Sequence, residues 1–418
     1  MAREIEILQP SFYKDFSCIG PACTDNCCHT WRIDVDKEHY LMYRKVRDAA
    51  FRETCAAVLK KKRKDATDAF YAVMSHPAEG KCGFQDEDGG CRIVRQLGPQ
   101  ALCNTCTVYP RRKVQYLPGL WELSLSLSCE EAARLAILSG KPVEFERFRR
   151  PIDEKNFMDR YAAVYASGRN FLPPPDFGQP LRQACMDLMA ERSHPIKERI
   201  LAIGVLLRRV GCLVTEKKQE QIPAAISQLM ELMKAGALTS LFQKPAYNEA
   251  LHRTALALPL AHLMQVGRRP IFRHIQELLA PYCDYDQKEN NYTAREETMA
   301  FLLQITKEKA DPVLAELEQG VENYFTCYLF SSIFPMYHVV RGLTPEESAI
   351  MLAEQYALLR ILLATLEERE GETSQQRLVR AVVALARITQ HSDMGKTFHT
   401  LSGLSGLDSL AHAMYLLY

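Results

Sequence analysis

The sequence predicts a mainly α protein in which an irregular, cysteine-rich N-terminal region with small β-hairpins precedes a multi-helix body. Three observations lead there. Ten of the 14 cysteines fall in the first 140 residues, a stretch broken by Gly, Pro and Asp and carrying only short apolar runs. LPPPDFGQP (172–180) sets three prolines in a row, which no helix continues. Beyond it Leu- and Ala-rich runs recur, ERILAIGVLLRRVGCLV (198–214) among them. The expected division is 1–140 as a cysteine-rich metal-cluster region, 141–180 as a connecting segment with the Pro-rich linker, and 181–418 as an all-helical domain.

Between Lys37 and Tyr71 the pattern is helical, with Tyr40, Tyr43, Val46 and Ala50 at spacings of three and four. LKKKRKD (59–65) reads as the solvated end of that helix, with contact to an anionic membrane surface or an acidic partner as its functional alternative. ERFRRP (146–151) reads the same way. KCGFQDEDGGCRIV (81–94) predicts a hairpin: two short β-prone arms around a polar, Gly-ended turn. VQYLPGLWELSLSL (114–127) predicts a second, turning at Pro118-Gly119, with Trp121, Leu123, Leu125 and Leu127 alternating with polar residues. Later, Asp311-Pro312 opens a helix, and Thr344-Pro345-Glu346-Glu347 is a capping box with proline at the first helical position. The most apolar window, Tyr324 to Val340, is about one turn short of a comfortable membrane span and contains Pro335 and His338. It reads as a buried helix pair, and no transmembrane segment is expected.

Charge is balanced, 52 basic against 51 acidic residues with a net of +1, which argues against a nucleic-acid partner. The start, MAREIEILQP, places Glu4 and Glu6 where a signal peptide needs apolar residues, so the expected compartment is the cytoplasm. Reducing cytosol argues against a disulfide framework for so many thiols. Cys185, Cys212, Cys283 and Cys327 are spread as small hydrophobes would be, whereas the early cysteines are not.

The early set runs Cys18-x4-Cys23-x3-Cys27-Cys28, then Cys82-x8-Cys91-x11-Cys103-x2-Cys106, with Cys129 trailing. Soft thiolates at such spacing select zinc or an iron–sulfur cluster. A Cys-x2-Cys turn aims two sulfurs at one centre, and nearby Gly and Pro permit the tight backbone. Adjacent Cys27 and Cys28 point different ways, so one of them serves a given metal atom. Eight candidates exceed one four-ligand site, which leaves two sites, or one site with spare cysteines. The triplet spacing usual for radical S-adenosylmethionine enzymes is absent, since Thr30 stands where its third cysteine would be.

CIGPACTDNCCHTWRIDVDKEHYLMY, GKCGFQDEDGGCRIVRQLG and ALCNTCTVYPR together resemble the flagellin lysine-N-methylases, enterobacterial enzymes that methylate surface lysines of flagellin. Their front part is related to cysteine-cluster proteins described as zinc- or iron-chelating. The resemblance is specific over residues 5 to 130 and extends in length and layout over most of the chain. It implies S-adenosylmethionine as methyl donor, flagellin as protein substrate and an oxygen-sensitive [4Fe-4S] cluster, with zinc as the alternative metal.

A lysine ammonium, with a reference pKa of about 10.4, has no lone pair with which to attack a methyl group. The site must desolvate the amine or place a base beside it. Asp25, His29, Asp34 and Tyr109 are candidates near the motif. Arg111 and Arg112 are candidates for offsetting the charge of a thiolate-bound cluster or for holding the donor's carboxylate. No strand leads into a glycine-rich turn and helix of the Rossmann kind. One reading puts the donor at the metal, on an iron left without a cysteine ligand, which opens a radical or reductive route; the other is polar transfer with the cluster in a purely structural role. The favoured ligand set is Cys23, one of Cys27 and Cys28, Cys103 and Cys106. The competing classes are a non-enzymatic zinc-binding scaffold and a cluster-bearing redox or sensor protein.

Overall fold

The computed structural model describes residues 4–28, 32–75, 81–115, 117–153, 158–159, 176–242, 248–265, 270–286, 291–331, 344–391 and 409–418. The chain divides into two compact units, one of Met1–Ala132 with Glu146–Arg169, the other of Ala133–Phe145 with Asn170–Tyr418. In chain order the first elements are β1 (Glu4–Pro10), β2 (Ile33–Val35), α1 (Lys37–Arg44), α2 (Ala49–Val58), β3 (Leu59–Lys61) and β4 (Ala72–Met74). Then come α3 (Arg92–Leu97), α4 (Asn104–Val108), β5 (Arg111–Val114), β6 (Leu120–Leu125), α5 (Glu130–Ile137) and β7 (Phe145–Pro151).

In the first unit, alternation in EIEILQP turns Ile5 and Ile7 inward, where they pack with Trp121 and Leu123. The resulting sheet has the order β5-β6-β1-β7, with β1 parallel to β6 and β5 antiparallel to it. The expected hairpin at 114–127 is therefore present, and Gly119 turns it at φ +82°, a conformation that favours glycine. A second, antiparallel sheet has the order β2-β4-β3. Against it and the helices lies a core of Ile33, Val35, Tyr43, Phe51, Phe84 and Ile93.

Four local expectations give way here. The helical reading from Lys37 to Tyr71 resolves into α1 and α2, and the basic run 59–65 begins as strand β3 rather than ending a helix. Its lysines shield a sheet edge: Lys61 lies 4.8 Å from the Tyr71 ring centre and Lys62 pairs with Asp34 at 2.7 Å. The 81–94 segment makes its turn, closed by Asp86 N–H to Gly90 O at 2.8 Å, but only one bridge, Gln85 to Cys91, follows before the chain winds into α3. ERFRRP is edge strand β7, with Arg147 paired to Glu6 at 2.9 Å.

The second unit is helical: α6 (Gly178–Met189), α7 (Ile196–Thr215), α8 (Ile222–Lys234), α9 (Glu249–Gln265) and α10 (Pro270–Leu279), then the hairpin of β8 (Cys283–Asp286) and β9 (Asn291–Ala294). It continues through α11 (Glu296–Ile305), α12 (Asp311–Glu316), α13 (Glu318–Ser331), α14 (Pro345–Thr365), α15 (Ser374–His391) and α16 (Ser409–Leu417). Helix α14 is buried and packs against α7, α15 and α16, with Leu352, Leu358, Leu359, Leu362 and Leu363 fully buried and Glu354, Gln355 and Arg360 buried among them. Its 347–365 window is long and apolar enough to cross a membrane and is entirely buried in the protein. The capping box at Thr344 forms as expected. Asp311-Pro312 opens α12 directly from a π turn at Thr306–Ala310 rather than from a loop. Tyr324 to Ser331 lie buried in α13, while residues 332–340, with Pro335 and His338, and linker residues 172–175 are outside the described residues.

Candidate metal and cofactor site

The early cysteines meet in the first unit because three turns bring them together. Cys82 N–H donates to Cys28 O at 2.9 Å, which lays the first motif beside the second. Cys103 is the N-cap residue of α4 and Cys106 lies in its first turn, so the x2 spacing puts both sulfurs at one helix end. Asp36 fastens that end: its carboxylate accepts from Asn104 N at 3.0 Å while also capping α1 through His39 N at 3.0 Å. Thr105 Oγ1 donates to Asp34 O at 2.5 Å, and Tyr43 OH to Ala101 O at 2.6 Å, tying the same segment to β2 and α1.

The thiols fall into two neighbourhoods. Cys82 and Cys103 belong to the apolar core, and Cys28, Cys91 and Cys106 pack against it. Within that inner set the Cys106 thiol donates to Cys103, which lowers Cys103 and, with burial, holds Cys106 well above its ordinary value. The Cys28 thiol is raised chiefly by its hydrogen bond to Cys27, then by burial and by Cys27, Cys82 and Cys91 nearby. Burial pushes Cys82 up to about 11, with Cys91 and Cys103 adding to it. The outer set is Cys18, Cys23 and Cys129. Cys23 is raised by burial, then by Glu130, Cys129, Cys18 and Cys27, and burial takes Cys129 to about 11, with Cys27 and Cys18 close by. Cys27 stands between the sets, its sulfur hydrogen-bonded to that of Cys28, so the adjacent pair meet rather than point apart as the sequence led one to expect. Cys55 is a core residue 3 % exposed, its sulfur directed at Tyr43 O, and is a small hydrophobe.

The donor chemistry suits a soft cation. Ionisation of Cys23, Cys28, Cys82, Cys91, Cys106 and Cys129 is opposed by burial, and a bound metal would relieve that cost while displacing the protons. Among the described residues no three Cys, His, Asp or Glu side chains stand in the arrangement of a metal site, so the thiols are gathered without being closed around a point.

Strand β5 separates the two arginines, since successive side chains leave opposite faces. Arg111 donates to Phe16 O at 3.4 Å and lies 4.8 Å from the Phe16 ring centre, beside the chain that leads to Cys18. Arg112 sits opposite Ser124 on the other face. Of the proton-acceptor candidates, Asp34 pairs with Lys62 and with Arg32 at 3.2 Å, Tyr109 shares a 3.0 Å hydrogen bond with Ser128, and Asp25 N–H donates to Glu130 at 3.1 Å. His29 lies outside the described residues. A group the sequence reading missed is His39, whose Nδ1 meets both oxygens of Asp36 at 2.8 and 2.9 Å beside Cys103. Burial pulls His39 down, but Asp36 and Cys103 outweigh it and hold the ring above its ordinary 6.5. The available signal was Asp36-x2-His39 at the start of a helical pattern.

The family model of the FliB lysine N-methylase C-terminal domain matches residues 182–416, more than half of the chain. The chain belongs to the FliB lysine N-methylase family. Two curated relatives named lysine-N-methylase, from Salmonella choleraesuis strain SC-B67 and Salmonella typhimurium strain LT2, are each 22% identical over 410 residues, covering 95% of this chain and 95% of theirs. The flagellar biosynthetic protein FliU of Salmonella muenchen is 36% identical over 132 residues, 31% of this chain and 75% of that one. No solved structure matches. The FliB family model covers the helical unit, while the cysteine motifs that carried the resemblance lie ahead of it. The enzyme class expected of this FliB-family chain, a lysine N-methyltransferase, is that of its family.

Proposed function

We propose that this chain transfers methyl groups from S-adenosylmethionine to surface lysines of flagellin in the cytoplasm, with a [4Fe-4S] cluster held by three thiolates of the inner set, Cys28, Cys103 and Cys106, so that one iron is left without a cysteine ligand. One observation carries the reading: five cysteines from three separate motifs meet on one apolar core. The printed names of the relatives, lysine-N-methylase and flagellar biosynthetic protein, support the acceptor and the flagellar substrate. When bound, such a cluster would supply an iron able to hold the donor and to exchange an electron with it.

The protein's own groups prepare the acceptor. To His39, which Asp36 holds in one orientation and whose raised pKa suits transfer near neutrality, this reading assigns the amine's proton. Arg111 lies beside the chain entering the cysteine loop and offsets thiolate charge there, or meets the donor's carboxylate. Arg112, on the opposite strand face, serves a separate contact.

The test is anaerobic purification with iron and sulfide analysis, visible absorption before and after adding S-adenosylmethionine, and mass spectrometry of flagellin lysines. About four irons and four sulfides per chain, a spectrum perturbed by the donor and methylated lysines are expected. A chain without iron that leaves flagellin unmodified overturns the reading.

A further inference from the structure

We propose that the basic face made by α1 and the run 59–65 binds an anionic lipid surface peripherally, with Leu41 entering the headgroup layer. Neither a cluster nor methyl transfer is needed for this contact.

Residues 37–64 carry ten basic side chains against three acidic ones, a net of +7 in a chain whose total is +1. The fold gathers that charge. Lys37 N–H donates to Asp68 O at 2.9 Å, Lys62 N–H to Tyr71 O at 3.1 Å and Tyr71 N–H to Val35 O at 3.0 Å, which lays the basic run beside α1. The Tyr71 ring joins the two: Tyr40 of α1 meets it edge-on at 5.2 Å, and the Lys61 and Lys37 ammonium groups lie 4.8 and 6.0 Å from its centre. Part of the charge is spent inside the protein, since Lys62 pairs with Asp34 at 2.7 Å and Lys37 with Asp68 at 3.0 Å. Lys45, Lys60, Arg63 and Lys64 are exposed and meet no carboxylate among the described residues.

An apolar tip stands within the charge. Helix α1 buries Tyr40 and Tyr43 and leaves Leu41 and Met42 at 42% and 36% exposure. Lys37 lies one turn before Leu41, and Arg44 and Lys45 lie one turn after it, so basic side chains border an exposed leucine on both sides. That is the arrangement of an interfacial helix, whose apolar side chain enters the headgroup boundary while the cations around it meet anionic lipid. Lysine predominates over arginine in the run. Point charges on flexible stems suit a diffuse anionic surface, whereas a docked carboxylate peptide favours the planar fork of arginine.

The full-length chain would be sedimented with vesicles of phosphatidylcholine alone and of phosphatidylcholine with about 30% phosphatidylserine. Binding to the anionic vesicles only, weakening as salt is added, is expected. The variant Lys60→Glu/Arg63→Glu/Lys64→Glu should bind at least about tenfold more weakly. Leu41→Ser should bind about threefold more weakly at an unchanged salt dependence, because it removes apolar contact and no charge. Reversing three exposed cations of the helical unit, Arg209→Glu/Lys234→Glu/Lys307→Glu, should leave binding as it is. Circular dichroism confirms that each variant folds. Equal binding to both kinds of vesicle, or to neither, overturns the membrane contact, and so does a 60/63/64 variant that binds like the wild type. A Leu41→Ser variant that binds like the wild type overturns the insertion. A wild type that ignores anionic vesicles yet binds polyglutamate, and loses it in the 60/63/64 variant, assigns the face to an acidic protein and overturns the lipid surface.

Discussion

The two oxygens of Asp36 hold His39 Nδ1, His39 N and Asn104 N, so one carboxylate caps α1, orients a histidine and fixes the helix end that carries Cys103 and Cys106. Burial works against that charge, yet the donors outweigh it and Asp36 ionises below the usual carboxylate range. A depressed carboxylate contributes stability above its unfolded pKa and loses it as pH falls through the folded value; the raised His39 contributes fully below its unfolded pKa and loses it as pH rises. Both contributions are present between about pH 4 and 6.5. Urea midpoints of the first unit should peak in that window, and Asp36→Asn should cost about 2 kcal/mol there and flatten the profile. A profile of unchanged shape in the variant would deny Asp36 this role. The same pair governs the proposed proton transfer. Protonated His39 accepts nothing, so log kcat/KM should rise with pH through a pKa above 6.5, and His39→Gln should lower kcat/KM by about 10²–10⁴ at unchanged metal content. A comparable loss of iron would make His39 a support for the thiols. The crowding of cysteines was legible because it is a local count. The Asp36 link was not, because Asn104 lies 68 residues away and hydrogen-bond partners at that separation leave no periodic trace.

Helix ends were the most readable elements. Thr344 Oγ1 accepts from Glu347 N at 3.1 Å while Glu347 accepts from Thr344 N at 2.6 Å, as the four-residue pattern dictates. Thr344→Ala should cost about 1 kcal/mol in thermal unfolding of the helical unit, and a cost near zero would mean α14 is fixed by burial alone. The 81–94 hairpin failed for a physical reason: its turn is set by Gly89 at φ +83° and by short-range hydrogen bonds, but the arm after it is decided by packing. Ile93 buries 98 % of its surface in the core, and helix α3 presents it there where a strand would need a longer partner. Edge strands β3 and β7 were hidden by their charge, which on an edge serves to discourage pairing. Inside the helical unit, Arg199, 1 % exposed, meets Glu322 at 2.9 Å and Glu318 at 2.9 Å, and Arg192 meets Glu322 at 2.8 Å. Glu322→Ala leaves the buried guanidinium short of its main counter-charge and should destabilise this unit by about 3 kcal/mol, measured by urea unfolding. A loss under about 1 kcal/mol would show that Glu318 and backbone carbonyls suffice.

At the scale of the whole molecule, the mainly α architecture was legible because long apolar periodicity in the second unit admits few alternatives, and the first unit's small sheets were only partly so because three-residue strands such as β2, β3 and β4 carry almost no pattern. That contrast has an energetic consequence. The helical unit closes its own core around α14, with side chains from α7, α15 and α16 fully buried. The first unit is assembled from elements of at most ten residues, and its core includes Cys82 and Cys103 as wall residues. If metal binding at those thiols is part of its folding free energy, removing the metal must loosen the first unit selectively. Hydrogen exchange on metal-loaded and anaerobically chelated protein should then show protection falling by at least about tenfold across 33–108, the span of β2 to α4, while α7, α13 and α14 keep theirs. Equal loss in both units would mean that the metal supports the whole chain, and no loss in either would make the gathered thiols incidental to folding. Loss confined to β2 through α4 would identify the thiol core as the part of the fold that the metal completes.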